Sequence, residues 1–174
     1  MPSTYTLISS NVLASDITSV TFSSIPSTYT DLVIKYSART DGGSAVGDTC
    51  NITFNSDTGT NYSRVTMRSN GSAGTSHIAA NTSSVNFHTN VNGSGGTSNT
   101  FASVEIYVPN YTLTSARPIG VFNVQEGNTA TLAAVYAGAS LYRGSSGISS
   151  ITWDAPGSLF LTNSSFYLYG IKNS

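Results

Sequence analysis

Apolar residues recur at every second position through most of the chain, the spacing of strands that keep one face in a core. Between Thr30 and Arg39, Leu32, Ile34, Tyr36 and Ala38 share one face, while Val33, Lys35, Ser37 and Arg39 share the other. Between Phe101 and Val108, Ala102, Val104, Ile106 and Val108 alternate with Phe101, Ser103, Glu105 and Tyr107. The same period predicts shorter strands at Tyr5 to Ile8, Thr18 to Phe22, Thr49 to Asn55, Ser63 to Arg68 and Ser84 to His88. Further strands are expected at Ile119 to Val124, Leu132 to Leu141, Ile148 to Trp153 and Phe166 to Lys172. Leu132 to Ser140 is rich in alanine and resembles a short helix, but Val135 and Tyr136 among small residues, with Gly138 beside them, favour a strand.

Turn chemistry punctuates these runs. Ser56-Asp57-Thr58-Gly59 and Glu126-Gly127-Asn128 read as hairpin turns, because Gly and Asn accept a positive φ that strains other residues. Two connections, Asp41 to Gly47 and Asn90 to Thr100, are nearly all small and polar, with no evident apolar anchor. They are expected to be mobile tips or segments ordered by a neighbour. About ten short strands without a long helix predict an all-β fold: two antiparallel sheets packed as a β-sandwich, with jelly-roll topology the expectation. Residues 1–174 read as a single sandwich domain with a short, polar N-terminal arm.

Composition sharpens this picture. Only 9% of the residues are charged, while Ser and Thr supply roughly 30%. Strands with one wet face produce that balance, whereas water-exposed helices normally carry Glu and Lys. The net charge of −1 comes from scattered single charges with no basic stripe, so nothing favours nucleic acid as a partner. Copies of a nearly neutral chain also repel one another weakly. The first ten residues show no secretory pattern and no stretch is long and apolar enough to span a membrane, so neither a membrane nor an export route is expected. The lone Cys50 lies in the alternating stretch Cys50, Ile52, Phe54, which makes it a buried small hydrophobe.

Candidate chemistry is sparse. His77 and His88 have no partner at metal-ligand spacing, so no metal or other cofactor is expected, and no Gly-x-Ser-x-Gly elbow accompanies the many serines. Glu105 sits opposite the aliphatic face of its strand, where a solvated or paired glutamate is the simpler reading than a glycosidase acid. Asp57, Gly59 and Asn61 have a calcium-loop spacing but too few carboxylates, so they read as a turn. Aromatics are the enriched resource: ten tyrosines, seven phenylalanines and Trp153. Tyr107, Tyr111, Tyr142, Tyr167, Tyr169 and Trp153 are candidates for stacking on sugars or anchoring an interface.

Four stretches, Ser19 to Leu32, Ile52 to Tyr62, Val104 to Tyr111 and Ser165 to Lys172, resemble tailed-bacteriophage structural proteins. The likeness spans nearly the whole chain and rests on turn-and-strand patterns, not on a catalytic signature. It implies a non-enzymatic virion component, either a capsid decoration (cement) protein or a module associated with the tail fibre. Such proteins are commonly β-sandwiches that act as homotrimers and are made in the host cytoplasm. The major capsid protein is then the expected partner, on the capsid surface. Contacts are expected in the two polar loops, the N-terminal arm and nearby tyrosines, with Asp41, Gly43, Asn92, Gly95, Tyr107 and Tyr111 as candidate residues. The alternative is a receptor-binding module that recognises host surface glycans through exposed tyrosines or Trp153.

Overall fold

The computed structural model describes residues 4–42, 46–71, 73–86, 88–127 and 132–172. Among them there is no helix, and thirteen strands follow in order: β1 (Tyr5–Val12), β2 (Ser19–Phe22), β3 (Asp31–Ala38), β4 (Gly47–Asp48), β5 (Asn51–Phe54), β6 (Tyr62–Ser69) and β7 (Gly74–Thr82). The remainder are β8 (Val91–Asn92), β9 (Ala102–Val108), β10 (Arg117–Glu126), β11 (Ala133–Tyr142), β12 (Ile151–Asp154) and β13 (Ser165–Ile171). Strand order, which one sequence leaves open, is β1-β13-β3-β9-β10-β11-β6-β7 in an eight-stranded sheet and β2-β12-β5 in a three-stranded sheet; β4 and β8 form a small third pair. The named strand pairs are all antiparallel.

The alternation seen in the sequence sets which side chains meet between the layers. Leu32, Ile34 and Tyr36 of β3, Val104 and Ile106 of β9, and Phe166 and Leu168 of β13 point inward from the large sheet. Val20, Phe22, Ile52, Phe54, Ile151 and Trp153 face them from the small sheet. Trp153 meets Phe22 edge-on at 5.2 Å and Phe166 at 5.3 Å, while Phe166 also stacks on Tyr36 at 5.8 Å. A second aromatic group holds the next part of the core: Tyr142 lies 4.8 Å from Tyr62 and 5.3 Å from Phe54. Gly170 shows how close the packing is, because a Cβ there would stand 2.3 Å from Cγ of Tyr29.

Several local expectations need correction. Ser56-Asp57-Thr58-Gly59 is not a hairpin, since β5 pairs with β12 and β6 pairs with β7 and β11; the turn carries the chain from one sheet to the other. Asn55 and Ser56 both take left-handed φ values, 54° and 55°, which produce the corner. Gly59 and Asn61 donate N–H bonds of 2.8 and 2.9 Å to the Asp57 carboxylate, so the motif is a self-satisfied turn. Ser84 to His88 is not a strand: only Val85 bridges to Ile52, and Phe87 lies outside the described residues. Besides the two-residue strands β4 and β8, the strand that escaped the pattern is β7, at the sheet edge, where neither face is fully buried. The strand expected at Tyr5 to Ile8 is present and longer: Tyr5–Val12 pairs with β13 as the opposite edge strand. The 126–127 turn does join paired strands, β10 and β11, with the Gly127 amide bonded to the Leu132 carbonyl at 2.7 Å; Asn128 lies outside the described residues.

Removing the ring at the centre of the aromatic cluster tests this core. Phe166→Ala is expected to cost about 3–5 kcal/mol, through lost transfer energy and the residual cavity, read as a lower midpoint in chemical denaturation.

Candidate functional site

Three strands cannot cover eight, and the uncovered area decides what the protein presents. On the inner side, where the small sheet ends at β5, polar groups of residues 85–86 and 88–92 fill the gap under β10, β11 and β6. Asn123 donates to the carbonyls of His88 and Asn90 at 3.0 and 2.6 Å, and Gln125 donates to the Tyr136 hydroxyl at 3.1 Å. His88 is fully buried between the Thr66 hydroxyl, 2.7 Å from Nδ1, and the Ser140 hydroxyl, 3.1 Å from Nε2. Burial first, and the nearby Arg64 guanidinium second, depress the His88 pKa to about 4. Ser140 and His88 thus have the spacing of a nucleophile and a base. Thr66 stands where such a pair would need a carboxylate, and all three side chains are shut away from any substrate.

Among the described residues no second layer covers the outer face of the large sheet, and apolar side chains predominate on it. Ten of the twelve large hydrophobic side chains exposed among the described residues lie there: Tyr5, Leu7, Val12, Val65, Met67, Ile78, Tyr107, Phe122, Val124 and Val135. Ile78 is 78% exposed, Met67 65%, Phe122 54% and Val65 51%. One cross-strand row runs Tyr167, Lys35, Glu105, Phe122, Ala137, Met67, Ser76. The next runs Tyr169, Val33, Tyr107, Gly120, Ala139, Val65, Ile78. Gly120, Ala137 and Ala139 leave the middle of the face low between larger side chains. Eight strands at ~4.8 Å spacing make the face roughly 35 Å wide.

Polar features on this face are few. Lys35 and Glu105 form an ion pair of 2.9 Å with both side chains about half exposed, so Glu105 is the paired glutamate that the simpler reading expects. Tyr107 donates its hydroxyl to Asp31 at 2.7 Å, which fixes the ring at the far end of β9 from the Thr100 loop. Tyr167 and Tyr169 stack at 6.4 Å, and Tyr5 meets Tyr169 edge-on at 6.3 Å. With Lys35 and Glu105, Tyr167 and Tyr169 line a shallow depression of about 340 Å³.

The candidate contact residues fall into different places. Asp41 is exposed and accepts the Leu159 amide at 2.7 Å, Gly95 is exposed in a turn, and Tyr107 is on the outer face. Gly43 lies outside the described residues. Asn92 and Tyr111 are corrections, because both are buried: Asn92 donates to the Thr100 hydroxyl at 2.8 Å, and Tyr111 donates its hydroxyl to the Pro26 carbonyl inside the core edge. Tyr142 and Trp153 are likewise core residues and present no ring to a sugar. Cys50 is buried as expected, which raises its thiol pKa well above the ordinary range. Among the described residues no group of three or more His, Cys, Asp or Glu side chains is placed to hold a metal.

The loop from Asn90 to Thr100 differs most from its expectation. Val91 anchors it in the core, and the chain around it binds the facing loop through bonds from Gly93 to Val46 and from Ser94 to Gly42, 2.6 and 3.1 Å long. Arg39, nearly buried, donates Nη1 to the carbonyls of Thr97 and Thr100 at 2.7 and 3.2 Å, and Nη2 to that of Gly96 at 3.1 Å. Glu126 accepts the Thr97 amide at 2.7 Å and the Thr97 hydroxyl at 2.5 Å. The Thr97 hydroxyl leads the interactions, Arg39 among them, that hold the Glu126 carboxyl below its ordinary range.

Comparison with protein families, with curated proteins and with solved structures finds no match to this chain. What the fold and the surface define is a class: an all-β sandwich whose large sheet offers one broad, nearly uncharged apolar face.

Two measurements check these assignments. The unfolded chain protonates His88 near pH 6.5 while the folded chain resists until about pH 4, so its contribution to stability is intact above pH 6.5 and declines as the pH falls between those values. The loss approaches roughly 3 kcal/mol, and His88→Gln should flatten this part of the stability-versus-pH curve. Glu126→Gln should leave the fold intact but speed hydrogen exchange at the Thr97 amide, because the charged acceptor of that bond is weakened.

Proposed function

We propose that this chain is a non-enzymatic structural protein of a tailed-phage virion, a decoration protein that binds coat subunits of the head through the outer face of its large sheet. The observation that carries the reading is the concentration of exposed apolar side chains on that one face. Monomeric soluble proteins seldom leave contiguous apolar surface beyond a few hundred Å² uncovered unless something binds it. Its near-neutral side chains demand no charge match from the partner, and the net charge of −1 allows copies to sit close together on a lattice. Each contact need only be modest, since a copy bridging two coat subunits makes its second contact at high effective concentration. The resemblance to virion proteins supplies the partner, and the hydrogen-bonded loops around Arg39 supply a second surface held in place by charge-assisted bonds.

A second reading, recognition of host glycans by a tail-associated module, is favoured by Tyr5, Tyr167 and Tyr169 beside the Lys35–Glu105 pair. Stacked tyrosines next to hydrogen-bonding charges suit a sugar ring. Glycan-array binding that disappears in Tyr169→Ala would favour it.

Cryo-electron microscopy of purified particles separates the two: density covering the head supports decoration, and density confined to the tail refutes it. Phe122→Lys, at the centre of the face, is expected to weaken binding to undecorated heads at least tenfold in co-sedimentation, a change of about 1.4 kcal/mol or more.

A further inference from the structure

We infer that a second copy of this chain pairs with β7, edge to edge, so that two large sheets join across a two-fold axis. Among the described residues no strand pairs with the far side of β7, which closes the eight-stranded sheet. Sheet edges are normally guarded by a charge, a proline or a bulge that turns the strand away. The other edge strand, β1, has such a guard, a bulge at Ile8 in its middle. β7 lacks one over most of its length: Gly74 to Ala80 pair with β6 in unbroken register, and the irregularity comes only at Asn81. Its nine residues, Gly-Thr-Ser-His-Ile-Ala-Ala-Asn-Thr, include no proline and no Lys, Arg, Asp or Glu.

The occupant follows from what that edge can accept. A ladder needs a partner strand of similar length whose side chains alternate in the same sense, and a copy of β7 meets both conditions by construction. Its side chains bring no like charges into opposition. Ile78 is the middle residue of the strand, so any near-complete antiparallel overlap sets the two Ile78 side chains at or beside the two-fold axis. There they cover each other and the neighbouring Met67 and Val65, which are the most exposed apolar groups after Ile78 at this end of the outer face. A strand of nine residues runs ~30 Å, and pairing along it with these flanking contacts buries on the order of 1,000 Å², at the low end for a specific interface. Association is therefore weak in solution and favoured by crowding on a lattice. It is two-fold, unlike the three-fold assembly that the resemblance implies. This inference goes beyond coat binding and stands or falls without it.

Analytical ultracentrifugation of the purified protein at concentrations on the order of 10–100 µM reads it directly, the range expected for a small interface. The wild type should sediment as a monomer–dimer equilibrium, Ile78→Lys as a monomer, and Phe122→Lys, three strands away, like the wild type. Ile78→Cys should cross-link dimers under mild oxidation while Phe122→Cys does not, with the buried native Cys50 silent in both. A wild type that stays monomeric and an Ile78→Cys that fails to cross-link would overturn the inference. So would a trimer that Ile78→Lys leaves intact, or association broken equally by Phe122→Lys, which would mean that whole faces stack. Loss of head binding in Phe122→Lys with dimerisation unchanged separates this contact from the coat contact.

Discussion

A mismatch of sheet sizes governs this molecule: eight strands on one side, three on the other. Every inward side chain must be covered, and the three strands reach only part of the way. The chain covers the rest with an irregular segment in which the His88 ring meets the Thr66 and Ser140 hydroxyls and the His88 and Asn90 carbonyls accept from Asn123, while Gln125 bonds to Tyr136 within the sheet itself. That solution places His88 in a dry site, where a charge is costly. It also explains why β10 turns Asn123 and Gln125 inward with Phe122 and Val124 outward, and why β6 turns Arg64, Thr66 and Arg68 inward with Val65 and Met67 outward, the reverse of an ordinary sandwich face.

Arg39 and Glu126 act on the loops as the aromatic cluster acts on the core. A loop of Gly, Ser, Thr and Asn has little apolar surface to offset its ordering entropy. Here a nearly buried guanidinium collects its carbonyls and a carboxylate collects its amide and hydroxyl donors, bonds that are stronger for being charge-assisted. The flexible-looking end of the sandwich is thus held by a few charges in a chain that has very few to deploy.

The strands that border the core were legible because their inward residues are large and strictly alternating, as in β3 and β9. β7 was not, because Thr, Ser, Ala and a single isoleucine give no period when neither face is fully buried. The segment at Ser84 misled in the opposite sense: Val85 enters the core through one bridge, which produces a strand-like fragment without a strand. The apolar face was visible in part. Val65 and Met67 alternate with Thr66 and Arg68, but alternation alone does not say which side is wet, and the ordinary assumption assigns aliphatics to the interior. The two buried contact candidates, Asn92 and Tyr111, failed for a related reason, since a polar loop and a tyrosine after a proline both resemble surface.

The burial of Cys50 has a consequence for any protein displayed in many copies. A thiol kept protonated and out of reach forms no thiolate to attack a neighbour. Copies of this chain brought together in oxidising surroundings gain no covalent link through this thiol, so any contact between them stays reversible.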